Sequence, residues 1–252
     1  MNRLKSFIGL SLAIARAEFK LKNEGSYLGI IWYLLGPLLM FGLLLLIFSS
    51  RVGVGIEKYP LYLLLGLIIF NLFQKSTADA VAIIKNHGGL IKSIRFPHMA
   101  LCSAATLKVL FSHIFEVLIF IAFILFFKNS LFGLLFYPFI LFFFLIFIYG
   151  SSLILSSLGA YFSDIQNIWV FVSRLIWLGT PIFYAVEGQN RLLYVNLMNP
   201  MYYFITISRE IIIYSKMPEI WMILAMMVSS LLFLVMGIIF FNKLKRRFAE
   251  LV

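Results

Sequence analysis

Charge is scarce in this chain. Asp, Glu, Lys and Arg supply 12% of its 252 residues, about half the roughly 25% of an ordinary soluble domain. The acidic residues number ten and are scattered singly, which argues against the paired carboxylates of glycoside hydrolysis or metal-assisted phosphoryl transfer. Cys102 is the sole cysteine, so no intrachain disulfide can form. His87, His98 and His113 have no metal-ligand spacing with Cys102 or with acidic pairs. No Gly is followed by Lys, so the phosphate-gripping G-x-x-x-x-G-K-[ST] loop is absent. A cleavable signal peptide is excluded too, because Arg16, Glu18, Lys20 and Lys22 interrupt any apolar run near the start.

What remains is apolar. Hydrophobic residues are 63% of the sequence, with Phe 28, Tyr 12 and Trp 4, more than a water-soluble fold of this length can hide. The pattern predicts a single all-α integral membrane domain over 1–252 with six transmembrane helices, at 28–49, 59–80, 99–127, 131–162, 168–186 and 220–241. The first has twenty-two residues without a charge, close to the ~20 needed to cross the hydrocarbon core. Residues 1–23 predict an amphipathic helix at the membrane surface, with Leu4, Ile8, Leu12, Ala15 and Phe19 on one side and Lys5, Arg16 and Lys20 in a basic sector. The second stretch turns polar at Asn71, Gln74, Lys75, Ser76, Thr77 and Asp79, a group that must face protein, water or the interface. Small residues crowd the end of the fourth, from Gly150 to Ala160, where they let helix backbones approach closely.

Two internal segments do not read as spans. Residues 81–97 form a loop with a short amphipathic piece, broken at Gly88-Gly89 and stopped at Pro97. Residues 187–219 hold two short helices separated by Asn199-Pro200, with Asn as N-cap and Pro at the first helical position. Six crossings place both termini on one side. That side carries twelve Lys and Arg against six on the other, so both termini are expected in the cytoplasm of a bacterial inner membrane. This gathering between apolar stretches is unlike a nucleic-acid-binding stripe, and no nucleic-acid partner is expected.

Lys108, Glu116 and Arg174 lie inside apolar stretches. They either line a path or, for the two cations, reach the inner headgroups. A proton-coupled carrier resting on Lys108 and Glu116 is therefore an alternative class. Among the aromatics, Tyr33, Phe41, Tyr62 and Tyr184 are candidates to line a path for sugars, whose C–H faces stack on rings. Interface-belt residues have the same composition.

The segments YLGIIWYLLGPLLMFGLLLLIFSS (27–50), FNLFQKSTADAVAIIKNHGGLIKSIRFP (70–97), SDIQNIW (163–169), TPIFY (180–184) and NPMYYFITISRE (199–210) resemble, in order and spacing, the membrane subunits of type-2 ABC exporters of O-antigens, capsules and teichoic acids. The resemblance implies a transport subunit and no enzyme, with ATP and Mg2+ held by a separate ABC ATPase and no cofactor or metal in this chain. It implies that the 81–97 loop is a coupling helix for that ATPase, with Lys85, Asn86, His87, Gly88, Gly89 and Lys92 at the contact. Residues 1–23 would be an interface helix. Spans one and five of two identical copies would enclose the path, and short re-entrant helices in 187–215, with Asn199, Pro200 and Arg209, would gate it from the periplasm. The implied cargo is an undecaprenyl-diphosphate-linked polysaccharide, with O-antigen first and a capsule, teichoic acid, drug or lipid as alternatives. Arg16, Lys20, Lys92 and Arg95 would attract the lipid diphosphate, although ordinary positive-inside bias explains the same charges.

Overall fold

The computed structural model describes residues 3–24, 31–186 and 190–251. The regular structure of these residues is all helical, with the helices joined by turns and short non-helical segments. In chain order the helices are α1 (Arg3–Asn23), α2 (Ile31–Phe48), α3 (Tyr59–Asn86), α4 (Gly88–Ser93), α5 (Met99–Phe126), α6 (Tyr137–Tyr161), α7 (Ile165–Gly179), α8 (Asn190–Leu197), α9 (Pro200–Ile212), α10 (Ile220–Leu244) and α11 (Phe248–Leu251). Helices α3, α5, α10 and α6 with its preceding 3-10 turn are long and apolar enough to cross a membrane, and Leu34–Phe48 of α2 is a shorter apolar helix. The chain is a multi-pass helical membrane protein. The start of the first expected span, at Leu28, lies outside the described residues.

Helix α3 is the axis of the bundle, packed by α2, α5, α6, α7 and α9. It has the lowest hydropathy of the long helices and the highest burial, 78% against 17% for α10. The two facts have one cause. Lys75, Thr77 and Asp79 of its second half find protein partners, so the helix stays inside, while α10, whose one charge is Lys243 in its last turn, turns most of its surface outward. Thr77 Oγ1 donates to Phe73 O at 2.7 Å and accepts from Trp169 Nε1 of α7 at 3.1 Å. Ser76 is fully buried.

Small residues bring α6 against two neighbours. A Cβ on Gly150 would stand 2.4 Å from the Phe233 backbone of α10, and one on Gly237 would stand 2.4 Å from Gly150 O. A Cβ on Gly159 would lie 2.0 Å from Val81 O of α3. Backbones this close gain dispersion contact that larger side chains would prevent.

The fifth stretch departs from expectation. A continuous helix over 168–186 with Pro181 inside it is not formed; α7 has 15 residues and ends at Gly179. Thr180 is extended, at φ −89° and ψ 138°, because the ring of Pro181 disfavours the helical conformation of the residue before it. Residues 180–186 then run without helix.

Candidate functional site

At the end of the bundle that carries α1, α4 and α11, four charged groups tie three helices to the loop. Glu18 of α1 accepts from Lys108 of α5 at 2.8 Å, and Lys108 also pairs with Asp79 of α3 at 2.7 Å. His87, where α3 passes into α4, meets the other Glu18 oxygen through Nε2 at 3.0 Å, and its Nδ1 lies 3.0 Å from Ile83 O. Burial alone would raise the pKa of Glu18, but hydrogen bonds from His87 and Lys108, with their charges, hold it down at about 2. The Glu18 hydrogen bond leads the causes that raise His87 above its usual value, against the opposing effect of burial. Phe19 packs edge-on to Phe111 of α5 at 5.8 Å, completing the seat of α1.

Deeper in the bundle runs a second polar chain. Lys75 of α3 donates to Glu116 of α5 at 2.8 Å. The other Glu116 oxygen lies 3.3 Å from His113 Nδ1, and His113 Nε2 is 2.7 Å from Tyr137 Oη of α6. Glu116 is 2% exposed and Lys75 39%, so a buried carboxylate is balanced by a cation that reaches the surface.

At the opposite end, Arg209 of α9 is buried, and among the described residues no carboxylate forms an ion pair with it. Its Nε and Nη2 donate to Tyr62 O at 3.2 and 3.0 Å, Nη1 to Pro181 O at 2.6 Å and Nη2 to Ile182 O at 2.8 Å. The guanidinium also stands 3.3 Å from the Tyr62 ring centroid, a cation–π contact in a desolvated setting. One side chain thus fastens α9 to α3 and to the extended strap after α7. Gly66 makes room for it, since a Cβ there would be 2.5 Å from Nη2.

Around these residues lies a cavity of about 410 Å³, whose lining includes Glu57, Tyr62, Tyr202, Thr206, Glu210 and Tyr214. Asn199 accepts from Met201 N at 3.0 Å as the N-cap of α9 and donates to Thr180 Oγ1 at 2.8 Å. Pro200 occupies the first turn, so the Asn-Pro pair both starts α9 and locks it to the end of α7.

The residues expected to act together are distributed as follows. Lys85 and Asn86 end α3 exposed, His87 is half-buried, Gly88 is buried, and Gly89 and Lys92 are exposed on α4. Lys92 and Arg95 border an open groove of about 580 Å³ with His98, whose pKa is lowered by burial and by the charge of Lys245. Arg16 and Lys20 are exposed on α1, outside the lining of that groove. Lys20 is 3.5 Å from Glu24.

Among the aromatic candidates, Tyr62 borders the 410 Å³ cavity, with its hydroxyl donating to Tyr184 O at 2.7 Å. Tyr184 sends its own hydroxyl back to Gly179 O at 2.9 Å and Leu178 O at 3.2 Å, covering carbonyls that the end of α7 leaves open. Phe41 is turned inward, edge-on to Phe123 of α5 at 5.2 Å, because its apolar ring finds a fuller contact there than on the open face of α2. The side chain of Tyr33 lies outside the described residues. Lys108 and Glu116 are not partners of each other, and Arg174 is exposed on α7. Sequence reasoning did not single out Glu18, Asp79 or the α9 stripe Tyr202, Thr206 and Glu210 as site residues. The spacing of four along that stripe was the available signal.

A profile of the ABC-2 type transporter family matches residues 10–213. The chain belongs to the ABC-2 type transporter family. It is 22% identical over 254 residues to the "O-antigen export system permease protein RfbA" of Myxococcus xanthus, covering 99% of this chain and 98% of that protein. It is 26% identical over 246 residues to a protein of the same name from Klebsiella pneumoniae, covering 96% and 95%. As an ABC-2 membrane subunit it is a transport protein, and these 252 residues hold no ATPase domain. Membership implies an ABC ATPase as its partner. Among the described residues no cluster of His, Cys, Asp or Glu could hold a metal ion.

Proposed function

We propose that this chain is the membrane subunit of an ATP-driven exporter that carries an undecaprenyl-diphosphate-linked polysaccharide, O-antigen first among the candidates, out through a bacterial inner membrane. Two copies enclose the path and both termini are cytoplasmic. Its organisation is one membrane domain over 1–252: interface helix 1–23, coupling loop 81–97, periplasmic gate helices within 187–215 and six crossings, the fifth built from α7 and the strap 180–186. ATP and Mg2+ act in the partner ATPase.

The observation that carries this reading is the anchoring of the 87–98 loop. His87 and Lys108 hold Glu18 of α1 from both sides, and Lys108 holds Asp79. A push on that loop therefore reaches α1, α3 and α5 together, as a coupling element requires. Gly89 is open, with nothing within 4 Å of where a Cβ would stand, which suits a surface pressed against a partner. The cargo is supported by the full-length likeness to the two O-antigen permeases and by the tyrosine-rich cavity at the far end. The exposed groove with Lys92 and Arg95 supports attraction of a diphosphate headgroup at the near end.

The test is reconstitution in vesicles with and without the ABC ATPase. ATP-dependent movement of lipid-linked glycan, lost in Gly89→Asp while the subunit stays folded, is the expected result. Uphill transport by this chain alone, driven by a proton gradient, would replace the reading with the carrier alternative.

A further inference from the structure

We propose that the 410 Å³ cavity at the far end of the bundle is a saccharide subsite, which holds a neutral sugar unit of the cargo. This rests on the glycan reading of the function. The volume falls within the roughly 300–1,000 Å³ of small-ligand sites, and its lining has sugar chemistry on several sides.

Helix α9 contributes Tyr202, Thr206 and Glu210, spaced four apart and so stacked on one face. Glu57 comes from the loop before α3 and Tyr214 from the turn after α9. The Tyr214 hydroxyl donates to Glu57 O at 3.1 Å, which closes the wall between those two segments. A pyranose needs an aromatic face for its C–H surface and acceptors for its hydroxyls. Tyr202 and Tyr214 supply rings, Glu57 and Glu210 supply carboxylates, and Thr206 supplies a hydroxyl.

The electrostatics separate a sugar from a diphosphate. Among the described residues, the charged ones in the lining are Glu57 and Glu210 against Arg209 and Lys216, and their formal charges cancel. Arg209, the buried member of the two cations, directs its donors at the carbonyls of Tyr62, Pro181 and Ile182, and its flat face is spent on the Tyr62 ring. It is a strut of the wall and does not act as an anion receptor. A neutral, hydroxyl-rich occupant fits this balance, whereas a diphosphate would meet two carboxylates with no guanidinium fork to receive it.

The experiment uses the intact transporter with its ATPase and a Thr206→Cys variant; native Cys102 is fully buried. The rate of maleimide labelling at position 206 is measured with oligosaccharides released by mild acid from the producing cell's surface polysaccharide, and separately with inorganic diphosphate. Protection by the oligosaccharides is expected, and none by diphosphate. Adding Glu210→Gln should weaken that protection about tenfold, the effect of one lost charge-assisted hydrogen bond. Tyr202→Ala, in transporter that still purifies with its ATPase, should cut surface polymer by a similar factor.

No protection by the oligosaccharides, or protection by diphosphate alone, overturns the subsite. Deleting the chain keeps the two readings apart. If deletion abolishes surface polymer while protection is absent, the subsite fails and the glycan function stands; if polymer persists after deletion, the glycan function fails and takes the subsite with it.

Discussion

Lys75 of α3 and Glu116 of α5 meet at 2.8 Å, the carboxylate 2% exposed and the ammonium 39%. A charge buried this deeply is tolerated because both of its oxygens are occupied, one by Lys75 and one by His113. Removing one partner leaves the other uncompensated, while removing both does not. Glu116→Gln is therefore expected to destabilise the protein by about 1–3 kcal/mol, discounted for the exposure of Lys75. The double variant Lys75→Met with Glu116→Leu should recover most of that loss. Thermal unfolding in detergent, followed through tryptophan fluorescence, checks the pair; additive losses would show that the two do not interact.

Arg209 is expected to tolerate no substitute. Arg209→Lys keeps the charge but offers a point donor where a planar fork spans the carbonyls of Tyr62, Pro181 and Ile182. Leaving buried carbonyls without a donor costs about 1–3 kcal/mol each. Arg209→Met should lower thermal stability further than Arg209→Lys, and Gly66→Ala should produce a milder version by displacing Nη2. A melting curve of Arg209→Met that overlays the unsubstituted protein would refute the strut.

The α6–α10 crossing depends on two glycines meeting backbone to backbone. Gly150→Val should separate the helices and prevent a single symmetric peak in size-exclusion chromatography. Gly36→Val is the control, because nothing lies within 4 Å of a Cβ there, and it should purify normally.

The Glu18–His87 contact makes anchoring of the loop pH-dependent. The folded pKa of His87 is raised above 6.5, so its contribution is fully present below about pH 6.5 and fades as pH rises through the higher folded value. Glu18, held at about 2, stays ionised across that window. The stability difference between the unsubstituted protein and His87→Gln should therefore shrink as pH rises above about 6.5. A constant difference would mean that the imidazole acts only by packing.

Orientation is testable because Cys102 is buried and silent to a thiol probe. Cysteines at Lys128 and Arg191, both exposed, should label with an impermeant maleimide from the periplasmic face. Cysteines at Arg95 and Arg246 should label only after the membrane is opened.

The helical membrane character was legible because it is a one-dimensional property: 63% hydrophobic residues in runs of bilayer length need no knowledge of neighbours. The Asn199-Pro200 start of α9 was equally local, since a cap and its helix are adjacent in the chain. Pro181 reads as a residue inside a span, though the same local rule, applied to Thr180, ends α7 two residues earlier. Partner choice was not legible. Lys108 and Glu116, eight residues apart on one helix, read as a pair; instead Lys108 turns to Glu18, ninety positions away, and Glu116 to Lys75, forty-one away.

By itself the sequence determined that this chain lives in a bilayer, breaks into apolar stretches with basic ends and lacks a phosphate loop. Those follow from which residues occur and in what run lengths. Only the tertiary structure decided which charges neutralise each other, that Phe41 points inward, and that Arg209 serves as a strut behind a polar cavity. Each of those depends on distances between segments far apart in the chain, and an ion or a ring takes the nearest partner in space.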